Sequence, residues 1–174
     1  MEPTKLYCAL GERGMELMER SKSVAEEFNA MIGDTYVNED LFEVYAKRLF
    51  KRSDFDLLRD GRKIELEKNP DFQFWHKRSG HSFWVECKFR NNHYDDKLDW
   101  CRPDQLESYK QFQEDVWPEK IYIVIGFGGR PFKPSSMFCV PLDEVENYGI
   151  YPNVLVRYER NPTQPFDYQG GRLV

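Results

Sequence analysis

Five consecutive apolar residues, Ile121-Tyr122-Ile123-Val124-Ile125, constrain this chain more than any other segment. A strand with one wet face alternates in polarity, so an unbroken apolar run reads as a strand covered on both faces. The glycine-rich stretch 126–129 that follows is expected to close it in a turn. Upstream the apolar period is helical. Residues 12–32 set Met15, Leu17, Met18, Val24, Ala25, Phe28 and Ile32 mostly three and four apart, which predicts an amphipathic N-terminal helix ended by Gly33-Asp34. A second helix is predicted over about 39–51, with Phe42, Tyr45 and Leu49 as its apolar stripe.

The period then changes to two. Residues 55–58 read as a first strand, and Asp60-Gly61 is a turn signal into the alternating segment 63–67. Residues 69–76 form the next predicted strand, whose proline belongs at its start or on an edge. Residues 77–80 are a hairpin turn into a strand over 82–90. Arg102-Pro103-Asp104 opens another helix, since proline suits a first turn and an acid there complements the dipole; Leu106, Tyr109 and Phe112 are its packing stripe. A strand over 137–140, a short helix over 142–147 and an irregular tail from about residue 161 complete the expectation, all within one domain spanning 1–174.

No apolar run reaches the roughly 18 residues of a membrane span, and no signal-like segment opens the chain, so a cytoplasmic protein without a membrane partner is expected. Cys8, Cys87, Cys101 and Cys139 form no CxxC and pair with no close histidine; reduced packing residues are expected rather than a zinc or disulfide framework. Core packing is likewise expected for Trp75, Trp84, Trp100 and Trp117. The net charge of −5 excludes a uniformly basic nucleic-acid coat. Residues 41–102 are nevertheless net positive, with 14 basic and 11 acidic groups.

The chemistry concentrates around the strand over 82–90. Alternation sets Phe83, Val85, Cys87 and Phe89 on one face, and Ser82, Trp84, Glu86, Lys88 and Arg90 on the other. Glu86 and Lys88 therefore stand side by side on an element that reads as central. The bland reading is a salt bridge on a solvated sheet face. If 77–80 is the turn, Asp71 falls near Glu86 or Lys88, and only the register decides whether it shares their face. Two carboxylates beside a lysine would suit a hard divalent cation that keeps waters and a substrate phosphate.

These residues resemble a known family. Pro70-Asp71, with Glu86-Cys87-Lys88 beginning fifteen positions after Asp71, is similar to the PD-(D/E)XK nuclease superfamily, the restriction-endonuclease-like fold. A helix carrying Gln105 and Tyr109 looks like that family's QxxxY helix, and Glu43 stands where many members carry an acid on the first core helix. The resemblance covers about residues 39–141. It implies an α/β fold with an αβββαβ core, a mixed central sheet flanked by helices, here with an extra N-terminal helix. It further implies a magnesium-dependent phosphodiesterase acting on DNA, with manganese as a substitute. Asp71 and Glu86 would be metal ligands, with the Cys87 main-chain carbonyl as a third and Glu43 as a direct or outer one. Lys88 would position or activate the attacking water, and Gln105 would be an orienting hydrogen-bond donor near Lys88.

Lys77, Arg78, Arg90, Asn91 and Asn92 cluster at strand ends and are expected to contact phosphate. His76, His81 and His93 have spacings that fit no metal motif, and His81 is expected in a turn. Two alternatives stay open. One is a catalytically inactive module of the same fold that binds nucleic acid or protein. The other is an interaction protein whose polar strand face forms a homodimer; pairing of two copies would also serve a nuclease on duplex DNA.

Overall fold

A computed structural model describes residues 35–61, 69–91 and 96–174. The predicted helix over 12–32, the alternating segment 63–67, Cys8, Asn92 and His93 lie outside them. In chain order the principal elements are α1 (Thr35–Arg48), β1 (Phe55–Asp60), β2 (Phe72–His76), β3 (His81–Arg90), β4 (Leu98–Asp99), α2 (Pro103–Asp115), β5 (Lys120–Arg130) and β6 (Lys133–Pro141). The shorter β7 (Gly149–Ile150), α3 (Pro152–Leu155), β8 (Glu159–Arg160), β9 (Tyr168–Gln169) and β10 (Arg172–Leu173) follow.

The central sheet runs β1-β2-β3-β5-β6-β8. Its strands pair antiparallel except β3 and β5, which are parallel because α2 carries the chain back across one face between them. The order α1-β1-β2-β3-α2-β5 is the expected αβββαβ core, a mixed sheet flanked by helices. No helix among the described residues is long and apolar enough to cross a membrane.

Each face of the sheet carries its own core. Leu41, Phe42, Tyr45 and Ala46 of α1 pack on Phe72, Phe83, Val85, Cys87, Tyr122 and Val124. Leu106 and Tyr109 of α2 pack with Trp84, Trp100, Ile121, Ile123, Ile125 and Val140 on the other side. The uniformly apolar run is thus covered on both faces, as its composition requires. Cys87, Cys101 and Cys139 are buried free thiols, and burial pushes Cys101 and Cys139 up to about 12, which keeps them protonated packing groups.

Several expectations need correction. The stretch 126–129 does not turn; β5 continues to Arg130. Gly126 is required there by close packing, since a Cβ would come within 2.8 Å of Phe42 Cδ2. Helix α1 stops at Arg48, after which the chain folds back and stacks Phe50 on Phe74 with ring centroids 4.0 Å apart. His81 is the first residue of β3 rather than part of the turn. The helix expected over 142–147 shrinks to a 3-10 turn, Leu142–Glu144. The tail is not irregular: β9 and β10 form a hairpin, Phe166 stacks on Phe50 at 4.3 Å, and Tyr168 lies parallel to Phe83 at 5.1 Å. Trp84 and Trp100 are core residues, but Trp75 is 38% and Trp117 77% exposed.

Candidate active site

The β2–β3 register decides which side chains meet. Lys77-Arg78-Ser79-Gly80 is the turn, with Gly80 at φ +71° supplying the left-handed residue that it needs. Phe72 pairs with Val85 and Gln73 with Trp84, so one step further Asp71 stands across from Glu86 on the α2 side of the sheet. One more step would set Pro70 across from Cys87. A proline has no N–H to give the Cys87 carbonyl, so the ladder ends here. The Cys87 N–H donates instead to Asp71 Oδ2 at 2.7 Å. A strand residue directs its N–H and C=O to the same neighbour, so the Cys87 carbonyl lies on the Asp71 side too.

Glu86 and Lys88 are 2% and 8% exposed. The Lys88 ammonium lies 2.6 Å from Glu86 Oε1, and the Tyr109 hydroxyl donates to the same oxygen at 2.5 Å. From α1, Glu39 Oε2 reaches within 3.7 Å of Lys88 Nζ. Arg90 holds Glu39 in place: its Nη1 pairs with Glu39 Oε1, while its guanidinium also donates to the carbonyls of Phe89 at 2.8 Å, Asp99 at 2.8 Å and Trp100 at 2.5 Å.

Electrostatics follow from this packing. Burial, then the neighbouring Glu86 charge, hold the Asp71 carboxyl well above the usual range, against the pull of Lys88 and the Cys87 N–H. Burial alone would depress Lys88, but Glu86, Tyr109, Glu39 and Asp71 surround it and hold it well above its ordinary value, so it stays an ammonium. Burial and the Glu86 charge hold the Tyr109 phenol far above its ordinary value, which fixes it as the donor to Glu86. Burial and the charges of Asp71, Glu43 and Glu86 raise the Cys87 thiol.

Asp71, Glu86, Cys87 and Lys88 therefore converge. Glu43 is buried one helical turn beyond Glu39, where its charge acts on the Cys87 thiol. Gln105 caps α2: its side-chain carbonyl accepts the Arg102 N–H at 3.0 Å. Lys77 and Arg78 sit at the hairpin turn, the opposite end of β2 from Asp71, and pair with Asp56 at 3.0 Å and Asp167 at 3.3 Å. Arg90 is enclosed by carbonyls and Glu39, and Asn91 is exposed just past β3. Among the described residues no cluster of three or more His, Cys, Asp or Glu side chains is placed to hold a metal ion. His76 is buried, with Nδ1 accepting from the Ser79 N–H at 3.3 Å.

Sequence reasoning missed Glu39 and the polar role of Tyr109. Both left a signal. Glu39 precedes Glu43 by four positions and shares its helix face, and a buried tyrosine hydroxyl needs a partner.

No protein-family profile matches the chain, and no curated protein does. Among solved structures it is similar to Hjc, a Holliday junction resolvase from the archaeal hyperthermophile Archaeoglobus fulgidus, at 13% identity and a TM-score of 0.41. The match covers 62% of this chain and 83% of that one.

Proposed function

We propose that this chain is a metal-dependent nuclease that hydrolyses phosphodiester bonds in DNA. The observation that carries the reading is the convergence of half-buried Asp71 with buried Glu86 and Lys88 where β2 begins beside β3. The donor set fits a magnesium ion. Asp71 Oδ2 is occupied by the Cys87 N–H and Glu86 Oε1 by Tyr109 and Lys88, which leaves Asp71 Oδ1, Glu86 Oε2 and the Cys87 carbonyl as oxygen ligands. Two carboxylates, a carbonyl and retained waters are what a small hard cation takes. The two adjacent acids also favour it, because a divalent charge offsets both the burial and, after it, the Glu86 repulsion that raise Asp71. When bound, the ion supplies Lewis-acid polarisation of a phosphoryl oxygen and a more acidic water.

Lys88 stays protonated, so it serves as a cation rather than a base. Two of its neighbours are Glu86 and Glu39, and a third N–H remains for the attacking water or a phosphoryl oxygen. There it offsets the charge that gathers on the pentavalent phosphorus as the water oxygen bonds and the P–O ester bond breaks. Tyr109 holds Glu86 in register with Lys88.

The test is cleavage of labelled linear and branched DNA with magnesium or manganese. The parent should cut. Asp71→Asn and Lys88→Ala should each be slower by about 100-fold or more, the scale of losing one electrostatic group at a reacting centre. Equal rates for all three proteins would refute the assignment.

A further inference from the structure

Parity along β1 breaks at Leu58. Phe55 pairs with His76 and Leu57 with Phe74, which places them on the α1 side, and strict alternation would send Arg59 there as well. The register instead slips between Leu57 and Arg59, so that Arg59 pairs with Gln73 and Asp60 with Phe72. One extra residue turns Arg59 to the opposite face, which is what a bulge beside a functional site commonly does. Its guanidinium lies over the indole of Trp84, 5.9 Å from the ring centroid. Trp84 is two residues before Glu86 on the same face, and Gln73 is two residues after Asp71. Strand spacing then sets the Arg59 and Asp71 backbones about 8 Å apart.

Three other cations on this side are engaged. Lys88 is held by Glu86, Arg90 by three carbonyls and Glu39, and Arg102 by Asp104. Arg59 is exposed, and among the described residues it meets only the Trp84 ring. A site built on carboxylates in a chain of net charge −5 repels a polyanion unless a cation is held nearby. A guanidinium braced on an indole is pre-oriented, and its fork matches a phosphate.

We propose that Arg59 binds a backbone phosphate of the nucleic-acid strand, next to the one presented to Asp71, Glu86 and Lys88. This rests on the nuclease reading above. It assigns the strand a path across β1 and β2, with the bulge at Leu58 as the device that places the contact.

The test is binding of a fluorescein-labelled DNA oligonucleotide to the full chain in EDTA, followed by anisotropy over a series of salt concentrations. Arg59→Ala should weaken binding about tenfold whatever the base sequence, as expected for one charge-assisted hydrogen bond. The slope of log affinity on log salt should also fall by about 0.7 to 0.9, the release of one phosphate contact. Arg59→Lys should keep the slope, and Lys120→Ala, on β5 with β2 and β3 between it and Arg59 and with Asp143 as its partner at 3.6 Å, should behave as the parent. A guanidinium that only packs on Trp84 would leave the salt slope unmoved. Parent-like affinity and slope in Arg59→Ala, while the parent cuts DNA, would overturn this inference alone. A folded parent that neither binds nor cuts DNA would overturn the nuclease reading and this inference together.

Discussion

Asp71 accepts the main-chain N–H of Cys87 at 2.7 Å, in the place where a continued ladder would have set a carbonyl. The β2–β3 ladder stops at Pro70, and the Cys87 N–H that it frees fixes an acid against Glu86. Because the folded protein raises this carboxyl above its ordinary range, the linkage sign is set. The stability contributed by its protonated form is full below the ordinary carboxylate pKa and is lost as pH rises through the folded value. Asp71→Asn removes that dependence, so its thermal midpoint should exceed the parent's at neutral pH by a few degrees, roughly 2 to 4 °C per kcal/mol, with the gap widening from acid to neutral pH. Manganese should raise the parent's midpoint and leave the variant's in place. Calorimetric scans across pH, with and without the ion, check both.

Lys88 and Glu86 are a buried pair 2.6 Å apart. Removing the cation strands the acid, so Lys88→Ala should lose about 3 to 5 kcal/mol of stability. The double variant Lys88→Met with Glu86→Leu should recover most of it, because two apolar groups leave no uncompensated charge. Urea unfolding of the parent, Lys88→Met, Glu86→Leu and the double variant measures the coupling.

The phenol of Tyr109 shares that oxygen of Glu86. Tyr109→Phe keeps the ring against Trp100, 5.7 Å away, and deletes only the donor. Stability should fall by about 1 to 3 kcal/mol. DNA cleavage should slow through kcat while KM holds, since Glu86 loses its orientation and not its charge. Steady-state kinetics separates the two.

Arg90 ties β3 to α1 and to the β4 region through Glu39 and three carbonyls. Arg90→Ala should therefore lower stability by about 2 to 4 kcal/mol, the cost of leaving those buried acceptors and Glu39 without their donor. Arg90→Lys should recover only part, because one ammonium cannot span a guanidinium's contacts. Denaturant midpoints of the two variants test this ranking.

The last nine residues bury Phe166, Tyr168 and Leu173 in the α1-side core. A chain ending at Pro165 loses two stacked aromatics, each worth about 3 to 5 kcal/mol, and should not fold cooperatively. Loss of the near-ultraviolet circular dichroism of the parent would show it.

Element order was legible because its signals are local. The two-residue period around Glu86 and Lys88, the hairpin turn at 77–80, the proline at the start of α2 and the apolar run of β5 depend only on near neighbours in the chain. They placed the acid and the lysine on one face, and brought Asp71 to within one residue of its partner. The Leu58 bulge was not legible, since alternation assigns Arg59 to the wrong face and nothing in the neighbouring side chains announces the slip. The tail hid its core role because two aromatics and a leucine lie among prolines, glutamines and glycines that read as loop.

Charge partners belong to a different level. Whether Glu39 or Glu43 reaches Lys88 depends on how far α1 slides along β3, one helical turn deciding between two acids on the same face. Whether Arg90 meets phosphate or protein depends on where β4 and the N-terminus of α1 come to rest. Strand and helix preferences are written residue by residue in dihedral freedom and apolar spacing, so they survive without context. Which ionised groups face one another is set by register, slide and burial between elements far apart in the chain, and those energies exist only once the layers have packed.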